Sequence, residues 1–499
     1  MKRTIISILV ASFVFNNGCA SFHKNPPLQR INAVQDTGGT QVGTAQERTD
    51  YSFNGFLAQG NEIGDNFIVM TFSGGGTRAG ALSYGVARYL EAVKLPSGKS
   101  LLDEVKVISS VSGGSFASAY YGLYGKEKFL ADYPKDVLYQ NLTSQLTRNL
   151  LRVVRWAPIM FSSNVGRSEL SQKVYDNEIF HNATFKDMPR KWPFIVINAT
   201  DMSLGSTVSF IQENFDVICS DLDGVKISRA VTASSAFPGA FTPLTFKNYA
   251  KSECGYRLPD WAQKALSGPP EKDPEFYHWA ERLSSYLDAG KRPYIHVMDG
   301  GISDNLGLTP LQYYFRTGEW ALLTPDRQFK GKRFIMIVVD AMPENSVESD
   351  RKPKVPKLMS VVMSAATKPL NNYTVKTAQD FATRFTEMKN AGKNYEGYVK
   401  LCDQVYAGQE DREKCYGEFI RPYGGIMQPP YPDAYYIHVQ FDAIPDRTLR
   451  EEVSHIGTDL QLKKSEVDSL IEAAKVILEN SAEFQRLAKD LNASRAKSL

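Results

Sequence analysis

The sequence predicts an α/β protein with a mainly parallel central sheet, extended at its C-terminal end by helices. Continuous apolar runs of strand length alternate with segments of helical periodicity. The first two of those runs end in glycine- or serine-rich turns from which a helix leaves. Beyond Pro343 the pattern changes to long helices.

Taken in order, the first strand is NFIVMTFS (Asn66–Ser73). GGGTRAG follows, then ALSYGVARYLEAV, whose Leu82, Val86, Tyr89 and Leu90 fall on one helical face. A second strand, VKVISSV (Val105–Val111), leads through Ser112 into another helix, and this strand–helix–strand–helix series argues for parallel pairing. Pro193–Met202, Arg292–Asp299 and Arg333–Met342 read as further buried strands. Residues 125–190 are rich in aromatic and basic groups, and RVVRWAPIMF (Arg152–Phe161) fits either core or a lid that touches a bilayer. Between Phe246 and Lys291 lies an insertion in which Pro269, Pro270 and Pro274 flank helical segments. In the C-terminal region one strand, Tyr435–Ile444, interrupts the helices and reads as an addition to the sheet. The expected organisation is a signal peptide over 1–18, a flexible tether over 19–60, a catalytic domain over 61–345 and a mainly helical extension over 346–499.

At 499 residues, 42% hydrophobic and 11% aromatic, the chain can bury a full core and is not a disordered protein. The formal charge is +3, and about +1 once Lys2 and Arg3 are removed with the signal. So weak a field, without a basic stripe interleaved with aromatics, argues against a nucleic-acid partner. MKRTIISILVASFVFNNGCASF has two cations, an apolar run from Ile5 to Phe15, and small residues before Cys19. That is a secretory signal, too short to span a membrane. Its end resembles a bacterial lipobox, in which Cys19 would be lipidated and become the first mature residue; ordinary signal cleavage nearby is the alternative. Ala20 and Ser21 fit outer-membrane sorting, so the expected location is the cell envelope, as an outer-membrane lipoprotein facing the periplasm or the cell surface. A flexible tether of roughly 40 residues would span about 35 Å, enough to reach the adjacent bilayer. Export also allows the other cysteines to pair, Cys402 with Cys415 and Cys219 with Cys254. The short Cys402–Cys415 loop would stabilise by roughly 3 kcal/mol.

Four stretches carry chemistry. In FSGGGTRAG (Phe72–Gly80) three glycines between strand and helix free backbone N–H groups to face a phosphate or a developing oxyanion. Gly74-x-Gly76-x-x-Ala79 also fits a loose dinucleotide fingerprint, but the acidic residue expected about 20 residues on is missing. Ser110-Val111-Ser112-Gly113-Gly114 matches the nucleophile elbow G-x-S-x-G with serine in place of the first glycine. Ser112 is the candidate nucleophile, Ser115 falls inside the following helix, and a plain helix cap is the other role for Ser112. Asp299, at a strand end before Gly300 and Gly301, is expected to present its carboxylate at the same edge of the parallel sheet as the elbow. AVTASSAFPGAFTPL (Ala230–Leu244) has small residues, a Pro turn and no titratable group.

In this order, GGGTR at 74–78, SVSGG at 110–114, TASSAFPGAF at 232–241 and DGG at 299–301 resemble the patatin-like phospholipase family, as does TDMSLGS (Thr200–Ser206). The resemblance covers roughly residues 64–310 and implies a three-layer patatin-like fold. It also implies a catalytic pair of Ser112 with Asp299, in which an aspartate is the base. His296 is the local rival, but an odd offset along the strand sends it to the face opposite Asp299. His278 and His438 are remoter rivals, and Asp304 and Asp340 are weaker carboxylate candidates. The implied oxyanion hole draws on Gly74, Gly75, Gly76 and Gly113, and Arg78 either orients the loop or meets a phosphate head group. The implied activity is hydrolysis of fatty acyl esters of phospholipids or lysophospholipids, with no metal and no cofactor. Acyl transfer by the same pair, or a non-catalytic envelope scaffold, are the alternatives.

Overall fold

The computed structural model describes residues 24–28, 49–140, 167–238, 240–250, 254–317, 319–320, 333–343, 358–420, 433–459, 461–492 and 494–495. The signal segment, Cys19 and Arg152–Phe161 lie outside the described residues.

Inside the sheet lies β1 (Asn66–Phe72), buried at every position. It feeds α2 (Gly76–Ala92), which is preceded in the chain by the short α1 (Phe53–Ala58). β2 (Val93–Lys94) follows, then β3 (Val105–Val111), α3 (Gly113–Tyr133), α4 (Arg167–Tyr175) and β4 (Phe194–Asp201). β5 (Thr207–Ser209), α5 (Gln212–Val217), α6 (Ile227–Ser234), β6 (Leu244–Lys247) and β7 (Tyr294–Asp299) complete the first half. The insertion between β6 and β7 holds α7 (Asp260–Ser267) and α8 (Pro274–Leu287), and α9 (Thr309–Thr317) follows β7. β8 (Arg333–Val339), α10 (Leu358–Val405), α11 (Gln409–Ile420) and β9 (Asp433–Val439) lead to the last helices. These are α12 (Arg447–Ser454), α13 (Lys464–Asn480) and α14 (Ala482–Asp490), before β10 (Ser494–Arg495), which pairs with β2.

β1 pairs in parallel with β3 and β8, β3 with β4, and β8 with β9. The expected C-terminal strand therefore lies at the sheet's edge, beside β8. β7 is the departure from expectation, because it runs antiparallel to β4, with Asp299 opposite Ala199. β5 also pairs with Ala199 and Thr200, so β5 and β7 occupy opposite edges of β4. A Cβ built on Gly300 would lie 3.1 Å from Val111 Cγ1 and 2.3 Å from Asn198 O, which puts β7 on the edge that β3 uses. β3 and β7 thus approach along one edge of β4 from opposite ends and meet where Val111 faces Asn198 and Asp299 faces Ala199. Asp299 reaches the elbow head-on, not by ending a parallel strand beside it.

Two stretches expected as tether are packed. Tyr51, Phe53 and Phe56 are buried, and Phe53 stacks on Trp320 at 4.3 Å between ring centroids while Tyr51 and Phe56 meet Phe194. Asn25 is buried too, accepting from Lys247 N and donating to Ser220 Oγ. The aromatic area removed from water outweighs the polar composition of the segment. The C-terminal helices are equally integral. α2 was expected to bury one face, yet Arg78 to Ala87 is buried throughout because α13 covers the outer side. Gly85 permits that approach, since a Cβ there would lie 2.8 Å from Ala474 Cβ. Disulfides join Cys219 to Cys254 and Cys402 to Cys415.

Candidate active site

Ser112 stands between β3 and α3 at φ 49°, ψ −117°, a conformation an L residue holds only when its surroundings force it, at a cost of order 1–3 kcal/mol. Its own backbone supplies one restraint: Ser112 N donates to Ser234 Oγ at 2.8 Å, and Ser234 Oγ donates to Asn198 O at 2.6 Å. Glycines supply the others. A Cβ on Gly113 would lie 2.0 Å from Gly76 O, and one on Gly114 would lie 2.6 Å from Phe72 O. The elbow therefore packs backbone to backbone against the glycine loop. Ser110, in place of the first glycine of the G-x-S-x-G pattern, is fully buried with its hydroxyl 2.6 Å from Ser118 Oγ. Ser115 is also buried, bonded to Ser110 and Ser234. Those hydroxyls brace the turn from behind and do not face a substrate.

Asp299 is buried, its carboxylate accepts a hydrogen bond from Gly301 N at 2.8 Å, and Ser112 is near enough to favour its charged form. Burial pushes its carboxyl up to about 7, against the smaller opposing pull of Gly301 N and Ser112. Asp299 N donates to Ala236 O at 3.1 Å, so the small-residue block around α6 positions both the serine and the carboxylate.

Of the glycine loop, Gly75 (φ 141°) and Gly76 (φ 61°) adopt backbone conformations that side chains rarely allow. No acceptor among the described residues takes the amides of Gly75, Gly76 or Gly113. Gly74 corrects the expected set: its N–H donates to Asn305 O at 3.0 Å and is not available to an oxyanion. Its lack of a side chain matters instead, because a Cβ there would lie 2.5 Å from Asn305 Oδ1 and 3.3 Å from Ser112 Cβ.

Arg78 is buried and orients the loop; the head-group role does not fit its partners. Its Nε donates to Ala341 O at 2.8 Å, Nη1 to Ile456 O, and Nη2 to Thr458 Oγ1 at 3.0 Å. Burial lowers its pKa to about 10, opposed by Asp340 and Asp459, so it stays a cation at neutral pH. Thr77 N donates to Asp459 O at 2.9 Å, and that carbonyl would lie 2.6 Å from a Cβ on Gly76. The chain itself fills the helix N-terminus that a dinucleotide pyrophosphate would need.

The rival bases lie elsewhere. His296 points to the other face and meets Thr245 Oγ1 at 2.9 Å. His278 is exposed beside Glu281, and His438 Nε2 lies 3.5 Å from Asp340 Oδ2. Asp304 accepts from the amides of Leu306, Gly307 and Thr309, while Asp340 accepts from Met342 N. Among the described residues no group of His, Cys, Asp and Glu is placed to hold a metal. Ser234, Asn305, Thr458 and Asp459 are the supporting residues that sequence reasoning missed. A serine inside the small-residue block and an asparagine after Asp304 were within the recognised motifs, whereas nothing marks 456–459.

Fold and site together define an α/β protein whose elbow serine stands between a glycine loop and a buried carboxylate. Residues 70–311 match the model of the patatin-like phospholipase family, and the fold is the patatin fold with a mainly parallel mixed sheet and a helical C-terminal region. That match supports a lipid ester hydrolase. The human GIVD cytosolic phospholipase A2 is a structural neighbour at TM-score 0.41 and 10% identity, over 85% of this chain and 63% of that one. The ExoU–SpcU complex from the type III secretion system of Pseudomonas aeruginosa gives TM-score 0.18 at 12% identity, over 86% and 77%. No curated protein matches the chain.

Proposed function

We propose that the protein is a serine acyl hydrolase that cleaves fatty acyl esters of phospholipids or lysophospholipids through Ser112 and Asp299. The observation that carries the reading is the meeting of the β3 and β7 ends, which sets the elbow Ser112 beside a buried carboxylate whose pKa is raised to about 7. A carboxylate near neutrality is both ionised enough to accept the serine proton and basic enough to do it usefully. Ser112 Oγ attacks the ester carbonyl as its proton passes to Asp299, and the alcohol leaves with that proton. Water then attacks the acyl-enzyme, again losing its proton to Asp299, and the fatty acid departs as Ser112 recovers its hydrogen. The amides of Gly75, Gly76 and Gly113 receive the tetrahedral oxyanion, each worth about 3 kcal/mol in the transition state.

The test is turnover of a fluorogenic acyl ester and covalent labelling by a fluorophosphonate. Ser112→Ala is expected to lose both, with turnover falling to background. Unchanged turnover in that variant, or label recovered on another residue, removes the reading. The N-terminal pattern supports one further proposal: a lipid on Cys19 holds the domain at the cell envelope, as an outer-membrane lipoprotein beside its bilayer substrate. The mass of the N-terminal peptide, with and without a diacylglyceryl group on that cysteine, decides it.

A further inference from the structure

A cavity of about 110 Å³ lies among β5, α5, α8 and α9, and its lining contains neither Ser112, Asp299 nor any residue of the glycine loop. Phe210, Phe246, Trp279 and Leu283 give it apolar walls. Its three tyrosines present rings and not hydroxyls. Tyr286 OH donates to Asp201 Oδ2, Tyr313 OH donates to Glu319 Oε1, and Tyr314 OH accepts from Asn214 Nδ2. With those polar groups already satisfied by the protein, a guest gains nothing by bringing polar atoms into the interior. Burying methylenes against these apolar walls is favourable for each carbon of an alkyl chain.

At the rim stands Arg282, the one charged residue of the lining. It is exposed on α8, and no carboxylate among the described residues pairs with its guanidinium. The contrast with its neighbours is informative, because Arg292 is spent on Asp201 and Arg316 on Glu275. A planar fork of donors beside an apolar slot is complementary to a carboxylate on an alkyl chain.

We propose that this cavity binds a straight-chain carboxylate, with the alkyl tail inside and the head group on Arg282. The choice of carboxylate over other single-chain anions rests on the hydrolase reading, in which a fatty acid is the product. The pocket wall and the reactive carboxylate share a strand: Val297 lines the cavity two residues before Asp299 on the same face of β7. Occupancy is therefore placed to be felt at the site.

The experiment is calorimetric titration of the full chain with decanoate, using Ser112→Ala as the reference protein. One saturable site is expected, unchanged after wild-type protein is blocked by a fluorophosphonate. Arg282→Ala should weaken binding about tenfold, the effect of losing one charge-assisted contact. Leu283→Trp, which fills the slot, should abolish it, and decyltrimethylammonium should not compete. Absence of binding, equal affinity in Arg282→Ala, or loss of the site on labelling Ser112 would each overturn the proposal, the last by making the cavity an arm of the catalytic cleft. Arg282 is exposed, so a folding failure in its variant is not expected, and a melting curve checks that. Decanoate binding that depends on Arg282 in a protein without esterase turnover would leave the pocket standing and remove the hydrolase instead.

Discussion

Residues 70–311 and the chain beyond Pro343 contribute different things to one site. The first region holds every residue of the proposed chemistry, in short motifs whose spacing is local. The second supplies no reactive group, yet it holds the first in shape: Ile456 O and Thr458 Oγ1 take two of the three hydrogen bonds of Arg78, across 378 and 380 residues of sequence. Asp459 O caps Thr77, α13 covers α2, and β9 extends the sheet beside β8. Chemistry is concentrated in the matched region, but the geometry of the glycine loop is shared between the two. The C-terminal region is therefore part of what shapes the glycine loop and not an appendage to it.

The largest expected effect lies wholly in the first region. Asp299→Asn should cut turnover by about 10²–10⁴, the usual worth of a positioned base. In the unaltered protein kcat/KM should rise with pH through about 7 and level off above it, because only the ionised carboxylate accepts the proton. The same shift makes a stability prediction of opposite sense. Asp299 ionises near 4 in the unfolded chain and near 7 in the folded one, so the unfolded state loses its proton first. Stability contributed by this group is present below about pH 4 and is lost as pH rises to about 7. Asparagine has no charge to bury and its Oδ1 can still accept from Gly301 N, so the variant should be more stable than the parent at pH 8 by up to a few kcal/mol. Denaturant melts of both proteins at pH 5 and pH 8 read the difference directly. A variant that lost activity and stability together at pH 8 would mean that the carboxylate is held for packing.

Gly85→Val probes the seam between the regions. The added side chain meets Ala474 Cβ at 2.8 Å and Ile471 Cα at 2.9 Å, so α2 and α13 must part. Overpacking of this kind costs about 1–3 kcal/mol. If the two regions act as one, turnover should fall with the melting temperature even though the close approaches at Gly85 are to Ala474 and Ile471 of α13 and not to the site. Loss of stability with full turnover would return the C-terminal helices to a purely supporting role.

How much of this was legible follows the same division. The turn at Ser112, the loop at Gly75 and Gly76 and the strand end at Asp299 were readable because glycine and serine at a strand end leave a local signature. The route by which Asp299 arrives was not: nothing in RPYIHVMDGG distinguishes a strand parallel to β4 from one that meets β3 head-on, since direction is decided by the connection through α7 and α8. Gly74 was misread because triple glycine marks a loop without saying which amide the fold consumes. Tyr51, Phe53 and Phe56 were hidden in polar surroundings, although three aromatics within six residues were a signal for burial that composition averaged away. Ser234 and Thr458 illustrate the deeper limit, for a hydroxyl that bonds a backbone amide or an arginine more than 100 residues distant has no pattern of its own.

The smallest effect is the most discriminating. Thr458→Ala removes one acceptor from Arg78 and leaves Ile456 O and Ala341 O in place. One hydrogen bond to a charged donor is worth about 1.5–3 kcal/mol, but the arginine keeps two others and the loss is shared with relaxation of the 456–459 loop. A decrease in kcat of three- to tenfold is therefore expected, with KM unchanged because no substrate contact is altered. Thr458→Ser, which restores the hydroxyl without the methyl, should recover kcat. A merely structural threonine would instead lower the melting temperature, leave kcat alone and gain nothing from serine. If alanine at 458 is silent in both respects, the hold of the C-terminal region on the glycine loop resides in the backbone carbonyls of Ile456 and Asp459, and the two regions are coupled by fold alone.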